Sequence, residues 1–179
     1  MKKYQKDYKL IPYLQPNGKI KEKAEYTGKY YIARHSEAEL RKIKRYSLTL
    51  TLCGMLAMAG AGMLNTNTGR VMYVALPYAC LFFPVVFNLL GAVKFLTVGD
   101  KLEFAAYDKS VNRIRRSSIG QLVLSSITVI GSLCFFFFGE KTERIAEEIV
   151  FLGSMVLVFL CGIILLKSRM TGSYTVKED

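Results

Sequence analysis

The side chains able to do chemistry within the apolar part of this chain are few and neutral. Gln121, Ser125, Thr128 and Ser132 fall at i, i+4, i+7 and i+11, so a helix would carry them as one continuous polar stripe. Such a stripe can meet a partner helix, a solute or water, and lipid tails cannot satisfy it. Asn88 is a second amide, and helical spacing puts it on one face with Tyr73, Pro77, Cys80 and Pro84. Pro77 and Pro84 each remove an N–H and clash with the carbonyl four residues earlier, which frees the carbonyls of Tyr73 and Cys80 and bends the helix. Freed carbonyls beside an amide can coordinate a cation or hold a solute; the alternative is a packing kink whose carbonyls neighbouring hydroxyls satisfy.

The remaining candidates specify less. Cys53, Cys80, Cys134 and Cys161 are dispersed, without the paired spacing of thiol exchange or the clustering of a zinc site, and read as small apolar fillers. Counting helical rise from the outer ends puts Cys53 and Cys80 at similar depths and separates Cys134 from Cys161. His35 is the single histidine, with no second imidazole to share a metal. Asp100, Glu103 and Asp108 read as solvated loop charges rather than as catalytic carboxylates. The sequence therefore gives no catalytic residue, no metal ligand and no cofactor motif.

Elements long enough to carry the polar residues are plain in the hydropathy pattern. Of the 179 residues 51% are hydrophobic, concentrated in 46–64, 71–93, 119–138 and 149–166, and none of these blocks contains Asp, Glu, Lys, Arg or His. About 20 apolar residues span a hydrocarbon layer of about 30 Å at about 1.5 Å per residue. A soluble helix needs a polar face, and these blocks have charges only at their ends. The expected fold is an all-α integral membrane protein with four transmembrane helices. Its three divisions are a basic Tyr-rich segment 1–35, the helical domain 36–166 with its loop 94–118, and a tail 167–179.

Charge orients it. Residues 1–45 carry 13 basic and 5 acidic side chains and 94–118 carry 6 and 3, whereas 65–70 and 139–148 together carry 3 and 4. By the positive-inside rule both termini and the central loop are expected in the cytoplasm, with the plasma membrane the expected location. The net charge of +11 could also suit nucleic acid, but anionic phospholipid is the nearer polyanion and no nucleic-acid partner is expected. The first apolar block lies behind a long basic segment without a small-residue cleavage site, so no secretory signal peptide is expected.

Short-range signals add detail. Tyr8 to Leu14, the turn Gln15-Pro16-Asn17-Gly18 and Lys19 onward read as strand, turn, strand. Tyr4, Tyr8, Tyr13, Tyr26, Tyr30 and Tyr31 suit a headgroup-level surface. Ser36 with Glu39 has capping-box spacing and Glu37 pairs with Arg41, so the first helix is expected from about Ser36 to Leu64. Lys42, Lys44 and Arg45 would then sit at lipid headgroups. Ser47, Thr51, Gly54 and Ala61 form a small-residue face suited to close helix packing. In the central loop Phe104, Tyr107, Val111 and Ile114 make an apolar stripe, with Lys109, Arg113, Arg115 and Arg116 elsewhere around it. Two readings fit that pattern: an amphipathic interfacial helix on anionic headgroups, or a short helix packed on the amino-terminal segment. Ser118 and Gln121 repeat the capping-box spacing.

Residues 18–91 laid over 99–172 share identities that include Cys53 with Cys134 and Cys80 with Cys161, as a parallel duplication would. Function follows only at class level. One expectation is a non-catalytic accessory or assembly subunit acting through helix and lipid contacts, within a homo-oligomer or a larger membrane complex. The other is a homo-oligomeric transporter or channel lined by Asn88, Gln121, Ser125, Thr128 and Ser132. The absence of charge inside the blocks argues against proton coupling.

Overall fold

The structure is a computed structural model describing residues 7–14, 20–139, 144–168 and 174–177. It is mostly helical, with strands β1 (Tyr8–Leu14), β2 (Ile20–Tyr26) and β3 (Tyr30–Ala33) ahead of helix α1 (Glu37–Gly62). Helix α2 (Met72–Thr97) and strand β4 (Lys101–Glu103) follow. A continuous helical run then comprises α3 (Phe104–Tyr107), a π turn (Asp108–Asn112) and α4 (Arg113–Phe138). Helix α5 (Ile145–Lys167) and strand β5 (Tyr174–Lys177) complete the order. Among the described residues three helices, α2, the run Phe104–Phe138 and α5, are long and apolar enough to cross a membrane. Helix α1 matches α2 in length at 26 residues, but its charged first turns and its Ser, Thr and Gly residues make it less apolar.

Local chemistry sets the helix ends. Ser36 is extended and its Oγ accepts the Glu39 N–H at 3.4 Å, starting α1, while Arg41 reaches Glu37 at 3.3 Å one turn on. The four long helices pack as a ring in which α1 and α4 each contact both α2 and α5. One close approach is at Gly91 of α2, where an added Cβ would lie 2.7 Å from Ile114 Cγ1 and 3.3 Å from the Ile114 backbone nitrogen.

Three distant stretches meet in a sheet of order β4-β3-β5, both pairings antiparallel, with Tyr31 opposite Leu102 on one side and Val176 on the other. The amino-terminal segment, the central connection and the tail thus share one end of the bundle. At the other end the turn around Asn67 meets the start of α5. Strands β1 and β2 pair with Tyr8 opposite Tyr26, and the turn Gln15–Gly18 lies outside the described residues.

A two-stranded hairpin alone is marginal in water, and here it is tied down. The Tyr8 hydroxyl donates to the Glu103 carboxylate, which pushes the phenol up to about 12. Tyr26 accepts the Phe104 N–H and donates to the Lys29 carbonyl, each at 3.0 Å. Tyr8, Tyr26 and Tyr30 then stack edge to face at 5.2 and 5.0 Å. These rings meet one another and the protein, and β4 and α3 supply polar partners for the Tyr8 and Tyr26 hydroxyls.

The apolar stripe of the central segment also finds protein. It is not a separate interfacial helix, since the backbone runs from Phe104 through the π turn directly into α4. Val111 and Ile114 are buried with Leu40, Ala92 and Phe95, and Tyr107 stacks on Tyr31 at 4.1 Å. The stripe turns inward because β3 and the first turns of α1 occupy its apolar side. For the same reason Ser118 and Gln121 do not cap a helix: α4 begins at Arg113, so both lie inside it with their N–H groups already engaged.

Lys44 is the corresponding correction among the cations. It is 7% exposed, not at a headgroup, and its Nζ donates to the Val98 carbonyl at the end of α2 while lying 5.7 Å from the Phe95 ring centre. A helix end leaves carbonyls unsatisfied and carries partial negative charge, so an ammonium from the antiparallel neighbour is a fitting cap. Burial pushes the Lys44 ammonium below its ordinary 10.5, with Asp100 opposing. A base whose folded value is depressed binds protons less well folded than unfolded, so its contribution to stability rises with pH from that depressed value up to 10.5. Lys44→Met is expected to lower stability by about 1.5 kcal/mol at neutral pH and to flatten this alkaline rise, both measurable by thermal melting in detergent. An unchanged melt would show that water caps α2 equally well.

Candidate functional site: a closed polar network in the bundle

The polar stripe of α4 faces the centre of the ring. Asn88 and Gln121 are 0% and 2% exposed, and Asn88 Nδ2 donates to Gln121 Oε1 at 2.6 Å. Gln121 Nε2 donates onward to the Val158 carbonyl of α5 at 2.8 Å. On the other side Asn88 Oδ1 accepts from Ser117 Oγ at 2.6 Å and Ser118 Oγ at 3.3 Å. One chain of hydrogen bonds thereby links α2, α4 and α5.

Helix α1 completes the enclosure. Ser47, Thr51, Gly54 and Ala61 are all buried, and Thr51 Oγ1 donates to the Ser47 carbonyl at 2.9 Å. Gly54 is where a side chain would crowd the centre, since its Cβ would sit 3.5 Å from Cys161 Cβ and 3.8 Å from Gln121 Nε2. Cys161 is the buried member of the cysteines, whereas Cys53 and Cys134 face outward from the bundle.

Below Gln121 the hydroxyls bond to their own helix. Ser125 donates to the Gln121 carbonyl at 2.6 Å, Thr128 to Leu124 at 2.9 Å and Ser132 to Thr128 at 2.7 Å. Such i−4 bonds satisfy each hydroxyl without a second helix. Pro77 is buried and Pro84 lies beside Gly120, whose Cβ would be 3.6 Å from it; α2 continues through both prolines. The Tyr73 carbonyl freed by Pro77 rests near Gly131, 3.6 Å from that residue's Cβ position. Asn88 directs its amide across to α4 and so does not join the freed carbonyls as a cation site.

The cations divide by exposure. Lys42, Arg45, Lys109, Arg115 and Arg116 are exposed and Arg113 is half-buried, while Lys44 is the helix cap described above. Sequence spacing missed Ser117 and read Ser118 as a cap, although extending the stripe one turn back from Gln121 reaches both. It also missed Glu148. That side chain is 5% exposed in the first turn of α5, and its Oε1 accepts the Asn67 N–H at 2.7 Å and the Thr68 N–H at 3.3 Å. Nothing in its spacing separates it from Glu147, which instead pairs with Arg144 at the surface at 3.1 Å.

Chemically the centre is a set of neutral amides and hydroxyls whose donors and acceptors are already matched. It can hold helices in register, and it can take up a solute only by breaking bonds it now makes. No protein-family model, curated protein or solved structure matches the chain.

Proposed function

We propose that this is a small polytopic membrane protein of four crossings that acts without catalysis, as an accessory or assembly subunit presenting an apolar outer surface and a basic end. The observation that carries this reading is the closed Ser117–Asn88–Gln121–Val158 network. A polar interior that is satisfied within one chain leaves the outside of the bundle as the surface available to partners. That outside is rich in large apolar side chains, Leu56, Phe82, Ile127 and Leu160 among them.

The fourth crossing is supported by topology. Strands β3 and β4 lie side by side at one end, and the chain between them consists of α1 and α2. A crossing by α2 from the far end requires that α1 first cross outward. Strands β4 and β5 belong to the same sheet and the chain between them contains α4 and α5, so those two cross as a second pair. With the excess of Lys and Arg at the sheet end, the positive-inside rule puts that end, and both termini, in the cytoplasm. Transport through a homo-oligomer would need the buried stripe to turn outward, and its burial favours the non-catalytic reading.

The test is gentle purification from native membrane, with subunit count and co-purifying chains read together by native mass spectrometry. A stoichiometric hetero-complex is the expected result. A closed homo-oligomer that passes solute in liposomes would overturn the proposal. For orientation, Asn67→Cys in a background with the four native cysteines changed to Ala is expected to react with a membrane-impermeant maleimide from outside intact cells, and labelling only from inside would invert the topology.

A further inference from the structure

Between α2 and α4, at the sheet end of the bundle, lies a groove of about 520 Å³. Its upper wall carries Lys109, Arg113 and Arg116, with Ser117 at the same level. Its lower wall is Phe83, Phe87 and Leu124, over a floor formed by Pro84 and Gly120. We propose that this groove binds one anionic phospholipid, its phosphate against Arg113 and Arg116 and one acyl chain along Phe83, Phe87 and Leu124. The inference rests on the membrane reading above and adds to it a defined lipid site.

Charge complementarity identifies the occupant. Three cations face a single carboxylate, Asp108, which already accepts from Asn112 Nδ2 at 2.6 Å and stands 4.0 Å from Arg116. The balance at the rim is therefore positive, and guanidinium groups match a phosphodiester with several donors at once. Length agrees with a lipid more than with a free anion. Arg113 and Leu124 are separated by roughly 16 Å of helix, about half the thickness of the hydrocarbon layer. A headgroup held at the arginines would thus lay its chain against the phenylalanines, which are 63% (Phe83) and 49% (Phe87) exposed in the bundle alone.

Backbone irregularity shapes the site from both sides. The π turn Asp108–Asn112 sets the register in which Lys109 and Arg113 reach one wall. On the facing helix Pro84 meets Gly120, where the lack of a side chain opens the floor. The rim also touches the centre of the bundle, because Ser117 bonds Asn88. A second groove of about 570 Å³ between α1 and α5 has Lys42 and Lys167 at its rim but no arginine. Selective retention is assigned to the α2–α4 groove for that reason.

The test is native mass spectrometry of the full chain released from detergent, after equilibration with phosphatidylglycerol or phosphatidylcholine of matched acyl chains. The expected result is one retained phosphatidylglycerol per chain, at least about tenfold over phosphatidylcholine, with that preference lost in R113Q/R116Q and kept in K42Q/K167Q. Gly120→Leu, which fills the floor and leaves every cation in place, is expected to abolish retention as well. Thermal melting of each variant checks folding, and R113Q/R116Q carries the test if Gly120→Leu melts early. Equal retention of both lipids, retention unchanged in R113Q/R116Q, or displacement of the lipid by millimolar inorganic phosphate alone would each overturn the proposal. Failure of the membrane reading is separately visible, as release of the chain from membranes by alkaline carbonate without detergent.

Discussion

Replacing Gln121 by Leu is expected to cost more stability than replacing Gln121 and Asn88 by Leu together. The single change strands the Asn88 amide, 0% exposed, facing a hydrocarbon side chain. An interhelical hydrogen bond in a membrane bundle averages only about 0.6 kcal/mol, whereas a buried donor left unpaired costs about 1–3 kcal/mol. The second magnitude decides, and Gln121→Leu should lower stability by about 2 kcal/mol. Asn88→Leu should cost a similar amount, since Gln121 Oε1 loses its donor while Ser117 keeps its bond to the Arg113 carbonyl at 2.7 Å. In the double variant both partners are apolar and of similar volume, so most of the penalty disappears. A double-mutant cycle by SDS or thermal unfolding in micelles measures this directly. Strictly additive losses would mean that Asn88 and Gln121 do not bond to each other in the folded chain.

Glu148 carries the other large expectation. Its carboxylate fastens the turn between α1 and α2 to the beginning of α5 through the N–H groups of Asn67 and Thr68. Hydrogen bonds to a charged group contribute about 1.5–3 kcal/mol, and a negative charge in the first turn of a helix adds a favourable dipole interaction of about 0.3–1 kcal/mol. Glu148→Ala is therefore expected to lower stability by about 3 kcal/mol and to expose the connection 63–71 to protease. Glu148→Gln keeps the shape and one acceptor but removes the charge, and it should lose roughly half as much. Melting in detergent gives the stability, and the position of proteolytic cuts gives the mechanism. If Glu148→Ala melts lower but 63–71 stays resistant to cleavage, the carboxylate acts through α5 alone.

Much of the helical content is legible in the order of residues alone. Lipid-scale runs without charge at 71–93, 119–138 and 149–166 fall, but for Val71, within helices long and apolar enough to cross a membrane, because backbone polar groups in hydrocarbon must be satisfied within their own helix. Ser36 marks the start of α1 through a local hydrogen bond of its own side chain. The strands on either side of Gln15–Gly18 are equally local, set by alternation and turn residues. In each case neighbours in the chain supply the deciding interaction.

What only the tertiary structure decided concerns the partner of each polar or amphipathic face. Spacing put Gln121, Ser125, Thr128 and Ser132 on one stripe, but a helix has the same periodicity whether that stripe meets a pore, a foreign helix or its own bundle. The choice fell to Asn88 and Val158, which are distant in sequence and adjacent in space. Lys44 reads as a headgroup cation because its neighbours are basic, yet the unsatisfied carbonyl of Val98 draws it inward. The stripe through Val111 and Ile114 has the amphipathicity of an interfacial helix, and the approach permitted by Gly91 turns it toward α2. Strand β5 carries little signal of its own and exists because β3 offers it an edge. Hydrophobic length and local capping are properties of a segment and can be read from it; satisfaction of a buried amide, ammonium or strand edge is a property of two segments, and it appears only when the fold brings them together.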